Sequence, residues 1–194
     1  MDRNCVTADM SMPESRAPDS TAPERVREDF RKALRGVAAT VSVVSTNDGA
    51  ARYGMTATAV MSVSLDPPSL VVAINKAASI HEPLRLRKFF CVNVLAEGHH
   101  SVGQHFSLKR PGADRFDTGA WATHDASQPT LKDLPYLRDA QANIFCRLES
   151  ELSYGSHTLL VGAVLELRTA DKIAPLLYCD GAFGSFSGNP GGMH

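Results

Sequence analysis

The most regular row of chemistry-bearing residues in this chain lies between Tyr53 and Asn75. Thr56, Thr58, Ser62 and Ser64 share one parity, with Ala57, Ala59 and Val63 set between them. Side chains of an extended strand repeat every second residue, so these hydroxyls fall on one face. Such a face offers hydroxyls and accessible backbone N–H groups to a flat ligand with polar edges. A strand facing water carries the same pattern, and the residues alone leave both readings open. Other constellations are weaker. His99, His100 and His105 cluster, but at a spacing that matches no established metal site, and they read as a solvated helix face. Cys5, Cys91, Cys146 and Cys179 form no C-x-x-C pair, which argues against zinc. Gly184 and Gly188 bracket a pentad whose central residue is Phe186, not a nucleophilic serine. No G-x-G-x-x-G follows a strand and no P-loop is present.

The elements that must position the hydroxyl row can be read from periodicity and turn chemistry. Thr21 to Arg35 reads as a helix, with Pro23 in its first turn, an apolar stripe of Val26, Phe30, Ala33 and Leu34, and Gly36 to end it. Ala39 to Thr46 is a strand, Asn47-Asp48-Gly49 a tight turn, and a return strand leads from Ala51 into the row. After Asp66-Pro67-Pro68-Ser69, Leu70 to Asn75 is a short buried strand. Ser79 and Glu82 have capping-box spacing, so a helix over Ser79 to Lys88 is expected with Ser79 as its N-cap. Phe89 to Leu95 is a strand, Glu97 to Ser107 a second short helix, Lys109-Arg110-Pro111-Gly112 a loop, and Trp121 to His124 a brief strand. Ala142 to Leu148, Thr158 to Leu167 and Leu176 to Cys179 close the series, with Leu159, Val161, Ala163, Leu165 and Leu167 on one face. From Gly181 onward the chain trails off in Gly, Ser and Asn. Many strands with few long helices imply a mainly β (α+β) domain, an antiparallel barrel with short helices at its ends.

Composition sets the bounds. A chain of 194 residues suits one domain, here residues 23–188 between tails at 1–22 and 189–194. A net charge of −1 gives no electrostatic case for nucleic acid or a membrane surface. No apolar run approaches the roughly 20 residues of a membrane span. The N-terminus has no apolar h-region, and three cysteines sit in apolar runs, so buried reduced thiols and a cytoplasmic protein are expected.

Taken together, certain stretches resemble the short-chain flavin reductases of the flavin-reductase-like, FMN-binding split-barrel family, the reductase components of two-component flavin-dependent monooxygenases. The resemblance runs from about Phe30 to about Ser187. It is carried by Gly36-Val37, Gly54-Met55-Thr56-Ala57-Thr58-Ala59, Ser62-Val63-Ser64-Leu65-Asp66-Pro67-Pro68, Asn75 with Ser79, and Phe90-Cys91-Val92-Asn93-Val94-Leu95. Gly155-Ser156-His157-Thr158, Pro175-Leu176-Leu177-Tyr178 and Gly181-Ala182-Phe183-Gly184 complete it.

The resemblance implies a split β-barrel, a homodimer, and a flavin (FMN or FAD) held near the dimer interface. By position, Thr56, Ala57, Thr58, Ala59 and Val60 with Ser62, Val63 and Ser64 would line the isoalloxazine ring. Asn75, Lys76 and Ser79 would lie by the ribityl chain and phosphate, and Phe106 and Ser107 would add further contacts. Where the family has a Gly-Asp-His triplet beside the nicotinamide, this chain has Gly155-Ser156-His157, so the carboxylate is replaced by a hydroxyl. Phe183 stands where the family often has Tyr, keeping a ring and losing a hydroxyl. The implied activity is hydride transfer from NADH or NADPH to flavin N5, supplying a partner monooxygenase. Two alternatives share the scaffold: a non-catalytic flavin-binding protein, and an FMN oxidase of the pyridoxamine-phosphate-oxidase type.

Overall fold

The computed structural model describes residues 24–108, 115–125 and 128–187. The expected tails, Cys5, the loop at Lys109-Arg110-Pro111-Gly112 and the start of the first helix lie outside the described residues. The first helix, α1, covers Glu24–Arg35 and buries none of its residues: Val26, Phe30 and Leu34 are at least half exposed. Its apolar stripe therefore exists but has no partner within the described chain. The helix is tied down at its end, where Arg35 Nε donates to Asp180 Oδ1 at 2.7 Å and Asp180 N donates to Arg35 O.

The next segment is two strands, not the single one expected. β1 (Ala39–Thr40) and β2 (Ser42–Asn47) are separated at Val41, whose N–H bonds Leu176 O and whose carbonyl accepts from Leu95 N. The chain changes sheet at that residue, which hydrophobic periodicity does not register. There follow β3 (Arg52–Ala57), β4 (Val60–Leu65), β5 (Pro68–Asn75), α2 (His81–Arg87), β6 (Phe89–Val94), a 3₁₀ turn at Glu97–His99 and α3 (His100–Ser107). A second 3₁₀ turn, Arg115–Asp117, leads to β7 (Trp121–Thr123) and β8 (Pro135–Leu137). The long hairpin β9 (Ala142–Tyr154) and β10 (His157–Thr169) precedes β11 (Leu176–Cys179) and β12 (Ala182–Ser185). β8 is too short to show a period, and β12 lies in the stretch from Gly181 expected to trail off.

Seven strands form one sheet in the order β3-β2-β6-β9-β10-β5-β4, all antiparallel. Its two edges, β3 and β4, are joined by only Thr58 and Ala59. A flat sheet of that width would hold its edge strands about 29 Å apart. The linker from Ala57 to Val60 reaches at most about 11 Å, so the sheet must curl until its edges meet. Ala73 N donates to Ala59 O at 3.0 Å, which carries the β4–β5 ladder into that linker. The result is a split antiparallel β-barrel with a few short helices. β1, β11 and β12 form a second small sheet, and β7 and β8 pair alone.

Val44, Val72, Ile74, Leu84, Phe90, Val92 and Leu160 fill the barrel. On β10 the inward residues are Thr158, Leu160 and Gly162, so the apolar set Leu159, Leu165 and Leu167 faces outward, each more than a third exposed. Side-chain period two makes this an all-or-none choice of face, settled by pairing with β5 and β9. A second cluster of Val41, Val43, Leu95, Val102, Phe106, Phe116 and Leu137 packs outside the barrel under α3. Among these apolar side chains sits one polar junction. Asn93 Nδ2 donates to Val43 O (2.8 Å) and Ser45 Oγ (2.9 Å), while its Oδ1 accepts from Leu137 N and Asn143 Nδ2. Every lone pair and proton it needs is met, so it fastens β8 to the barrel. Cys91 and Cys146 are buried free thiols; burial pushes Cys146 up to about 12 and Cys91 well above its ordinary value. Cys179, expected to be buried, is exposed because its strand lies in the outer sheet.

Candidate functional site

A cleft of about 760 Å³ opens between the end of β3, the β5–α2 turn, α3 and the β11–β12 hairpin. Thr56, Thr58, Asn75, Ser79, Phe106, Ser107 and Phe183 line it. They come from segments up to about 127 residues apart, joined only by the barrel's closure. Four of them have contacts that hold them in place. Thr56 Oγ1 donates to Gly103 O at 2.7 Å, tying β3 to α3 and leaving the hydroxyl oxygen as an acceptor. Asn75 Oδ1 accepts from Ala77 N at 2.9 Å, so the free end of its carboxamide is the NH₂ donor. Ser107 Oγ donates to Gln104 O. Phe183 stands edge-on to His100 at 4.7 Å and to Tyr178 at 5.4 Å between ring centroids.

Gly54 sets the depth of the cleft floor. A Cβ at that position would meet Phe106 Cε1 at 2.6 Å, so only glycine lets the Phe106 ring lie against β3. Phe106 also packs against Phe116 (5.2 Å) and Trp121 (5.0 Å).

The remaining predicted residues lie elsewhere. Ala57 points opposite to Thr56 and Thr58, into the barrel core, where it is 6 % exposed. Ala59 is exposed at the seam, and Val60 rests half-buried against the core. Ser62 and Val63 are exposed on β4, which bulges between Ser62 and Ser64, so the single continuous face expected from Thr56 to Ser64 does not form. Ser64 Oγ is consumed by its own turn, accepting from Asp66 N and donating to Asp66 O. Lys76 reaches away to Gly155 O at 3.1 Å. His157 is exposed at the head of β10; its Cα partner across the ladder is Asn75, and Ser156 Oγ lies 2.9 Å from its Nδ1.

Ser79 reaches the cleft, but not as a helix cap. α2 begins two residues later, with Ile80 at the N-cap position and no side-chain capping bond. Asn75 organises the preceding turn instead, and Glu82 pairs with Arg85. The three histidines of the expected cluster go three ways: His99 to Ala96 N and Asp139, His100 onto Phe183, and His105 beside Phe106.

Sequence reasoning missed Val41, Met55, Ala77, Ala78, Leu108, Arg115, Tyr178 and Gly181, which complete the lining. Arg115 matters most, since it is the only charged side chain among the described lining residues. Its Nη1 donates to Gly54 O at 3.0 Å. It follows an aperiodic stretch, so nothing local marks it. Val41 sits where the chain changes sheet, and Met55 lies within β3 beside Thr56.

These walls suit a flavin. The volume falls within the roughly 300–1,000 Å³ of cofactor and ligand sites. Val41, Met55, Phe106 and Phe183 supply apolar surface for a fused ring, Thr56, Thr58, Asn75, Ser79 and Ser107 supply polar atoms for its edge and polyol chain, and Arg115 supplies positive charge for an anionic tail.

Comparison with known proteins points the same way. A family model described as "Flavin reductase like domain" matches residues 34–187. The reductase component of a FADH(2)-dependent resorcinol hydroxylase from Rhizobium sp. (strain MTP-10005) is 39% identical over 82% of this chain and 87% of its own length. An NADH:riboflavin 5'-phosphate oxidoreductase from Streptomyces pristinaespiralis is 36% identical over 83% and 88%. Among solved structures, Streptomyces globisporus C-1027 NADH:FAD oxidoreductase SgcE6, in complex with NAD and FAD fragments, superposes with a TM-score of 0.77 at 27% identity, covering 86% of this chain and 96% of that one. The chain thus belongs to the flavin reductase like domain family.

Proposed function

We propose that this protein is an NADH-dependent flavin reductase that supplies reduced FMN or FAD to a partner flavin-dependent monooxygenase. The observation that carries the reading is the cleft itself, with its apolar floor, its hydroxyl and carboxamide rim, and one cation among its described lining residues. The relatives named above add weight, as one is a hydroxylase's reductase component and another an NADH:riboflavin 5'-phosphate oxidoreductase. A flavin held there would supply the electron-accepting ring for a hydride from the nicotinamide. The chain's own residues position and enclose it. Thr56, locked to Gly103, and Asn75, locked to Ala77, present fixed polar atoms to the ring edge and polyol without rearrangement. Phe106 and Phe183 exclude water from its apolar side. His157, register partner of Asn75, stands near the cleft for the nicotinamide. Ser156 Oγ, 2.9 Å from Nδ1, can donate to or accept from the ring, so unlike a carboxylate it does not select one tautomer.

A homodimer accompanies this reading. Met61, Val63, Leu152, Tyr154, Leu159, Leu165 and Leu167 form exposed apolar surface on β4, β9 and β10, with Leu152 and Leu159 directly opposed in the β9–β10 ladder. Replacing both leucines with aspartate shifts a dimer toward monomer by light scattering; unchanged mass argues against this interface. A cytoplasmic location is consistent with the free Cys91, Cys146 and Cys179, and no described helix is long and apolar enough to cross a membrane. The test of function is direct: the protein is mixed with NADH and FMN or FAD, and the nicotinamide absorbance is followed. Flavin-dependent NADH oxidation is expected, and its absence with both flavins overturns the proposal.

A further inference from the structure

Position by family resemblance places the flavin's phosphate at Asn75, Lys76 and Ser79, where a helix N-terminus would offer free N–H groups. The geometry of that corner points elsewhere. Lys76 N donates to Ser156 O, Ala77 N to Asn75 Oδ1, Ala78 N to Asn75 O and His81 N to Ala78 O, so four of the turn's backbone donors are spent inside the chain. The Lys76 ammonium sits on Gly155 O and does not line the cleft. α2 has only seven residues and starts beyond the lining. What the corner retains is a hydroxyl, a carboxamide and the Ser79 and Ile80 N–H groups, with no positive side chain among them to pair with a dianion.

On the flavin-reductase reading just given, we infer that Arg115 is the residue that recognises the cofactor's anionic tail, the phosphate of FMN or the pyrophosphate of FAD. It is the one charged group among the described lining residues, and no carboxylate shares that lining to neutralise it. One Nη1 hydrogen is spent on Gly54 O, which anchors the guanidinium on β3. A guanidinium has four further N–H donors in a planar fork that matches a phosphate. Its backbone is anchored independently of any ligand. The neighbouring Phe116 is 6 % exposed, edge-on to Phe106 and Trp121, and capped by Arg52 at 4.6 Å. The cation is therefore set in place by a packed aromatic group, and the flavin's charge is read by a segment different from the one that reads its polyol.

The test separates charge recognition from structure. Wild type, R115A and R115K are titrated with FMN and with riboflavin, which lacks the phosphate, and flavin fluorescence is followed. R115A is expected to weaken FMN about 10- to 100-fold and riboflavin by less than about 3-fold, with R115K intermediate for FMN. Added KCl should narrow the FMN-over-riboflavin preference in wild type more than in R115A. Equal loss of both flavins in R115A would show that Arg115 acts through Gly54 and the fold; no loss of either would show that the phosphate lies elsewhere. Both results overturn the Arg115 assignment while leaving the reductase reading standing, provided wild type oxidises NADH with flavin. Wild type that neither binds nor reduces either flavin overturns both.

Discussion

Phe106 lies so close to Gly54 that a Cβ on that glycine would fall 2.6 Å from the ring's Cε1. The same ring lines the cleft and packs against Phe116 and Trp121, both about 5 Å away between centroids. The missing side chain on β3 is what lets an aromatic floor and a strand edge bound the same cleft.

Gly54→Ala should therefore be disproportionately harmful. The ring cannot retreat, because Phe116 and Trp121 block it, so either β3 or Phe106 shifts. A loss of about 1–3 kcal/mol in stability is expected from overpacking, together with weaker flavin binding. Urea unfolding and flavin titration read the two effects. A variant with wild-type midpoint and affinity would mean that the contact relaxes freely.

Ala57 and Thr58 are adjacent but face opposite ways, one into the barrel and one into the cleft. Ala57→Leu should lower stability by about 1–3 kcal/mol through overpacking. Thr58→Ala should leave the unfolding midpoint within about 0.5 kcal/mol while weakening flavin binding. Swapped outcomes would show that the strand is read in the wrong register.

Asn93→Leu replaces a fully bonded buried carboxamide with an apolar group of similar size. It takes away the acceptor of Leu137 N and one of the two acceptors of Asn143 Nδ2, and the side-chain donor to Val43 O, at about 1–3 kcal/mol for each group left unsatisfied. The expected result is a large fall in the urea midpoint, and faster proteolysis around β8, which Asn93 holds. A midpoint near that of wild type would mean that water replaces the carboxamide.

Glu166 gives the fold an acid-sensitive point. Burial works to raise its carboxyl, but hydrogen bonding with buried His124 (3.0 Å) and Arg168 (2.9 Å) wins and holds it below its ordinary value of 4.5. A depressed folded value means that the unfolded chain takes up the proton more readily. The contribution is complete above the unfolded value and is lost as pH falls through the folded one. Wild type should lose stability progressively below about pH 4.5. Glu166→Gln should be less stable near neutrality and lose less over that acid range. Parallel acid limbs for the two proteins would assign the loss to other carboxylates.

Much of the fold was legible along the chain because its causes are local. The tight turn at Asn47-Asp48-Gly49, the alternation in β9 and the apolar run of β6 each announce their element within a few residues. Ser79 misled for the same reason. Its spacing to Glu82 is that of a capping box, yet Asn75 already organises the turn and the helix starts later. Local signals compete, and the sequence does not say which donor is satisfied first.

The sequence by itself determined a mainly β chain, the positions of most of its strands, and a family resemblance that located Thr56, Thr58, Asn75, Ser79, Phe106, Ser107 and Phe183. Only the tertiary structure decided that these seven share one cleft, that Ala57 does not, and that Arg115 joins them. The physical reason is closure. Two residues between β3 and β4 force a seven-stranded sheet to curl, and that curl sets which face of each strand is inside. Periodicity says only that a strand has two faces; pairing with distant strands chooses between them.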